Sequence, residues 1–207
     1  MINHDANFIY IHIPKTGGTT ITTIFDFEFI PSIPVNDPFN VDTVEQETET
    51  HLPAVLLYRS FPETFQSYFK ACFVRNSWDY IVSAYLWLKK YYNLEHDFNT
   101  WIKLDFIGTP DRERTIFLNP CQLDWITDEN GDVIVDFIGR FEKFEEDLQT
   151  IYQKLEIEPI PIPHENPTEH QHYSHYYNEE SKERIMTLYK KDIQFFNFTF
   201  ETEDVCL

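Results

Sequence analysis

Apolar positions along the chain fall into short β-branched and aromatic runs separated by stretches with helical spacing. Phe8-Ile9-Tyr10-Ile11-His12-Ile13 is such a run, halted by Pro14, and predicts a buried strand. Thr19 or Thr20 is then placed to cap a helix through Ile21 and Ile24 to about Phe27. Pro53 opens a short helix through Leu57, and Tyr68 to Val74 predicts a second strand. Asn76 or Ser77 caps an amphipathic helix in which Ile81, Tyr85 and Leu88 recur at helical spacing, ending near Tyr92, and another helix is expected over Phe98 to Phe106. An Asn130-Gly131 turn joins Leu123-Asp124-Trp125-Ile126 to Val133-Ile134-Val135 as a hairpin. Phe137 to Phe141 reads as a further strand, and Phe144, Leu148, Ile151 and Leu155 mark a helix from Glu142 to Leu155 whose acidic start suits its dipole. Asn178, followed by Glu179 and Glu180, starts a final helix toward Asp192.

Strands alternating with helices imply an α/β fold: a P-loop-like, mostly parallel central sheet flanked by helices, with ligands at the carboxyl ends of the strands. With 207 residues, the chain is expected to form a single domain, 1-207. Residues 28-50 read as a variable surface loop, and 157-178 as a turn-rich connector with no clear period.

The aromatic share of 17%, with only 5 glycines, points to a core filled by rings. A net charge of -19 argues against nucleic acid, which requires a basic face, and discourages a polyanionic partner. Each basic residue inside a motif therefore carries more weight, Lys15 and Arg75 above all. Cys72, Cys121 and Cys206 form no Cys-x-x-Cys pair, so neither a disulfide framework nor a zinc site is expected. Residues 1 to 5 show no export signal and the chain shows no transmembrane segment, so a cytoplasmic location is expected.

The candidate chemistry begins at Pro14-Lys15-Thr16-Gly17-Gly18-Thr19-Thr20. A strand that ends in such a loop and feeds a helix gathers backbone N–H groups, hydroxyls and the positive helix end around one anion. Lys15 can neutralise charge that builds on an oxygen during transfer. The Walker order G-x-x-x-x-G-K-[ST] puts its lysine after the glycines, whereas Lys15 precedes Gly17 and Gly18. Arg75 and Ser83 pair a guanidinium fork with a hydroxyl, a combination that suits a phosphate monoester.

Ile11 to Thr20, taken with Phe73-Val74-Arg75-Asn76-Ser77-Trp78-Asp79-Tyr80-Ile81-Val82-Ser83-Ala84-Tyr85, resembles the carbohydrate sulfotransferase branch, Golgi-type and bacterial, of the sulfotransferase superfamily. The likeness continues through Phe137 to Glu142 and Tyr189 to Phe196. It implies 3′-phosphoadenosine 5′-phosphosulfate (PAPS) as donor, adenosine 3′,5′-bisphosphate as product and no required metal. It assigns the 5′-phosphosulfate to Lys15, Thr16, Gly17, Gly18, Thr19 and Thr20, and the 3′-phosphate to Arg75 and Ser83. It also suggests that the 157-178 segment closes over the cofactor, with Ser174 and His175 as contacts. The usual Arg-Asp/Asn-Pro appears here as Arg75-Asn76-Ser77.

Sulfuryl transfer to a hydroxyl requires a base near the attacking oxygen. The resemblance implies a histidine between the two cofactor motifs, and His51 lies there; Glu47 and Glu49 are the other candidates. His12 reads as a packed strand residue, and the group His170, His172 and His175 lacks zinc-ligand spacing. Trp87, Tyr91, Tyr92 and Trp101 are explained by core packing, with a sugar platform as the other reading. The expected acceptor is a saccharide or other hydroxyl-bearing molecule. Two further functions fit the loop: a P-loop-type nucleotide kinase or hydrolase, and a non-catalytic nucleotide-binding module of the same fold.

Overall fold

The computed structural model describes residues 1–27, 51–104, 121–162 and 171–203. The expected loop at 28-50, the candidate bases Glu47 and Glu49, Phe106, His170 and Cys206 lie outside these residues. The chain forms two compact units, Met1–Val74 with Asp124–Glu165, and Arg75–Leu123 with Asn166–Leu207.

The first unit holds one four-stranded sheet in the order β1-β2-β3-β4: β1 Ile2–Asn3, β2 Phe8–Ile11, β3 Phe69–Val74 and β4 Phe137–Arg140. Strands β2, β3 and β4 are parallel, and the short β1 is antiparallel to β2. This is the expected mostly parallel α/β sheet. Helices α1 Gly18–Ile24, α2 Ala54–Ser60 and α3 Pro62–Ser67 lie between β2 and β3 in the chain, and α6 Phe144–Leu155 follows β4 after a 3₁₀ turn. Phe8, Tyr10, Ile21, Phe73, Leu148 and Ile151 are all buried in one core cluster, which clamps α1 and α6 onto the sheet. Removing a side chain such as Ile151 from it should cost about 2–5 kcal/mol.

Gly139 in β4 sits opposite Phe73 in β3, and a β-carbon there would stand 2.6 Å from the Phe73 ring. The ring fills that space while it packs on Phe144, with centroids 4.5 Å apart. A glycine within a strand is thus required here by close approach rather than by a bend.

The second unit contains α4 Ser77–Tyr92, α5 Phe98–Leu104, a 3₁₀ turn at Tyr173–Tyr176, α7 Glu179–Leu188 and α8 Lys190–Phe196. Asn76 caps α4 as expected, its side chain accepting from the Trp78 N–H. The α4 face carrying Trp78, Ile81, Tyr85 and Leu88 is buried. Trp101 is buried too, whereas Tyr91 and Tyr92 are exposed at the end of α4, so core packing does not account for them.

Several local expectations are corrected. Thr19 and Thr20 lie inside α1, whose cap is Gly17 at φ 89°, because the chain enters the helix through a left-handed glycine rather than through a threonine side chain. Leu123 to Ile126 is not a strand: Gln122–Trp125 forms a 3₁₀ turn, held by the Gln122 and Leu123 N–H groups donating to Asp192. What remains of the hairpin is the bridge between Thr127 and Val133 around the Asp128 turn. The final helix is interrupted at Tyr189, which separates α7 from α8.

Candidate active site

The carboxyl end of β2 carries the anion-binding candidates of the first unit. After Ile11 the chain leaves the sheet through His12, Ile13 and Pro14. Thr16 is fully buried, and its hydroxyl donates to the Ile13 carbonyl at 2.8 Å, pinning the loop back on itself. Lys15 adopts φ 63° and Gly17 φ 89°. A non-glycine residue in the left-handed region is uncommon and costs of order 1–3 kcal/mol, so the loop conformation of Lys15 is held by its surroundings. A left-handed Gly17 followed by a right-handed helical Gly18 turns successive backbone N–H groups to one side, the concavity that accepts an oxyanion. Phe144 packs so closely on Gly17 that a β-carbon there would stand 2.8 Å from its ring. Thr19 is exposed on α1, and its carbonyl accepts from the Thr22 and Thr23 hydroxyls.

His51 joins this loop. Its Nδ1 lies 2.9 Å from the His12 carbonyl oxygen, and the two imidazoles pack with centroids 4.1 Å apart. A carbonyl oxygen only accepts, so Nδ1 carries the proton and Nε2 carries the lone pair of the neutral ring. Trp125 stands edge-on to His51 at 6.5 Å. Burial lowers the basicity of His51; the hydrogen bond to the His12 carbonyl opposes this, and the nearby Lys15 ammonium reinforces it. His12 is held well below the ordinary histidine range, first by burial, then by His51 and more weakly by Lys15. Both rings are consequently neutral at neutral pH.

In the second unit, Arg75 is buried at the entrance to α4. Its Nε donates to Asp79 at 2.7 Å, one turn into the helix. Ser83 lies a further four residues along, on the same helix face as Asp79, and is half-buried. The Arg75 backbone is fixed as well: its N–H donates to Gln122 Oε1, and its carbonyl accepts from Gln122 Nε2, both at 2.8 Å. Gln122 is in turn held by the fully buried Asp192, which accepts from the backbone N–H groups of Gln122 and Leu123. Sequence reading did not single out Gln122 or Asp192. Asp192 had a signal, being a carboxylate on the apolar stripe Tyr189, Ile193, Phe196 of a helical stretch; Gln122 had none.

Ser174 and His175 occupy the 3₁₀ turn at Tyr173–Tyr176. The Ser174 Oγ lies 2.8 Å from His172 Nδ1, and the exposed His175 contacts Glu203 through Nε2 at 2.7 Å. Tyr177 anchors the turn by donating to the Trp78 carbonyl at 2.8 Å. Among the described residues no group of three or more His, Cys, Asp or Glu side chains is arranged to hold a metal ion. Also among them, no helix is long and apolar enough to cross a membrane.

Comparison with known proteins decides the family. The model described as "Sulfotransferase family" matches residues 1–199, nearly the whole chain. The chain belongs to the sulfotransferase family. This family member is also similar to an uncharacterized protein of Archaeoglobus fulgidus, 33% identical over 94 residues that make up 44% of this chain and 70% of that protein. No solved structure matches it. Membership supports sulfuryl transfer in general and does not favour the kinase or hydrolase alternative.

Proposed function

We propose that this protein transfers a sulfuryl group from 3′-phosphoadenosine 5′-phosphosulfate to a hydroxyl of an acceptor, a saccharide first among them, with His51 as the general base. The carrying observation is the hydrogen bond of His51 Nδ1 to the His12 carbonyl beside the Lys15 loop, which makes Nε2 the basic nitrogen of a ring kept neutral by burial. The residues present suit the donor: a left-handed Gly17 at a helix start with Lys15 beside it for one anion, and the Arg75 guanidinium with Ser83 for a phosphate monoester.

The donor supplies an activated sulfuryl group whose bond to the bridging phosphate oxygen breaks as a new sulfur–oxygen bond forms. His51 Nε2 takes the proton of the attacking hydroxyl, and Nδ1–H stays on the His12 carbonyl throughout, so the imidazolium that forms is stabilised on one side. Lys15, with the N–H groups from Thr16 to Thr20 and the Thr19 and Thr20 hydroxyls, offsets the charge left on the departing phosphate. Arg75 and Ser83 take the 3′-phosphate; the Asp79 carboxylate and the Gln122 amide hold Arg75 in one conformation, which limits the entropy lost on binding. Ser174 and His175 add donor contacts from the 3₁₀ turn at Tyr173–Tyr176.

Calorimetry tests the reading. Adenosine 3′,5′-bisphosphate should bind without metal, and Lys15→Ala or Arg75→Ala should each weaken it by about tenfold or more, the loss of one charge-assisted contact. Preference for ATP with Mg²⁺ over the bisphosphate would instead establish the nucleotide kinase or hydrolase reading.

A further inference from the structure

His12 contacts the candidate base and the anion loop at once. Its carbonyl accepts from His51 Nδ1 at 2.9 Å, and its ring packs on the His51 ring at 4.1 Å between centroids. On another side the same ring presses on the start of α1, so closely that a β-carbon at Gly18 would overlap the imidazole. The order is therefore Gly18, His12, His51, with no room for a methyl group at the first contact. Among the described residues the enclosed Nδ1 of His12 has no hydrogen-bond partner, so its ring is held there by packing alone.

We infer that His12 is a positioning residue: it sets the separation between the anion loop at Gly18 and the base His51, and holds the His51 ring in one orientation. The inference rests on the assignment of His51 as base. Several features make His12 suited to the task. A planar ring is rigid beyond its two side-chain torsions, whereas an aliphatic side chain of that length would rotate. It stays uncharged beside His51, so the two tilted rings pack at 4.1 Å between centroids without charge repulsion. Its carbonyl is fixed by the chain leaving β2, so the tautomer and orientation of His51 are both referred to the sheet. The proton taken up at His51 Nε2 does not pass to the His12 ring, because Nδ1–H of His51 points at the His12 backbone oxygen rather than at a ring nitrogen. Among the described residues the His12 and Trp125 rings face His51, with the Lys15 ammonium as a neighbouring charge.

Two measurements test this on the full chain. The first is a stability cycle over Gly18→Ala, His12→Ala and the double variant. Gly18→Ala alone should lower Tm sharply or prevent folding, and the same change in the His12→Ala background should cost less than about half as much, because contacting residues couple. Equal cost in both backgrounds overturns the contact. The second compares ¹⁵N shifts of His51 with turnover. His51 in the unsubstituted protein should show the Nδ1–H tautomer. In His12→Ala the carbonyl remains but the ring that packs His51 against it is gone, so His51 should swing partly off that bond and show mixed tautomers, with kcat down about 100-fold, as expected for misplacement by an ångström. The donor KM should stay within about threefold, and His12→Gln, a neutral planar replacement, should recover kcat to within about tenfold of the unsubstituted enzyme. Unchanged His51 tautomer and kcat in His12→Ala overturns the inference, as does failure of His12→Gln to recover kcat. A changed tautomer with unchanged kcat upholds the positioning contact and counts instead against His51 as the base.

Discussion

At the scale of single residues, the neutrality of His51 has a pH signature. Burial holds its folded-state pKa below the ordinary 6.5, so above that value the ring is uncharged in both folded and unfolded chains and contributes nothing to the pH dependence of stability. As pH falls below 6.5 the unfolded chain binds a proton that the folded one resists, and stability declines until the folded-state pKa is reached. The same shift should keep kcat/KM level through pH 6.5 and bring its acid limb in below that value. A pH–rate profile checks it; an acid limb centred at or above the ordinary histidine value contradicts a buried, neutral His51. His12 behaves as the sequence reading expected, packed on the strand end, but sequence could not reveal that its carbonyl would meet His51 across 39 positions of chain. Nor could it show that Gly18 is demanded by a ring lying over it rather than by its own backbone angles.

At the scale of elements, the strands and long helices were legible because their apolar positions repeat with the right period and their ends carry Pro14, Asn76 and Asn178. Failures came where tertiary contacts override a local pattern. Leu123 to Ile126 is apolar enough for a strand, yet Asp192 captures the N–H groups of Gln122 and Leu123 and winds the segment into a 3₁₀ turn. The two-residue β1 was too short to show a period, and α3 was hidden behind Pro62, which reads as a breaker as readily as a first helical residue. Gly139 offers an element-scale test, since any β-carbon there must displace Phe73, which also packs on Phe144. Gly139→Ala should destabilise the protein by about 1–3 kcal/mol, the usual range for overpacking, measurable by urea unfolding. A gain in stability from added strand propensity would show that the pairing of β3 and β4 is looser than described.

At the scale of the whole molecule, a net charge of -19 makes the local cations decisive. The anionic donor proposed above would approach a protein whose mean field repels it, so under that proposal the attraction comes from Lys15 and Arg75 at short range, where screening by salt acts least. The same charge discourages a polyanionic acceptor and is compatible with the saccharide acceptor proposed above. Family and fold were readable because the two glycine- and arginine-bearing motifs each follow a strand. The supporting residues Gln122 and Asp192 were not, because they act only through contacts made by folding. The account stands or falls on sulfuryl transfer by His51. With sulfur-labelled donor and a panel of saccharide and simple alcohol acceptors, the unsubstituted protein should label a hydroxyl. His51→Ala should lower kcat by about 10²–10⁴-fold, the range for loss of a general base, while adenosine 3′,5′-bisphosphate still binds. Undiminished transfer by His51→Ala with the bisphosphate bound would contradict it.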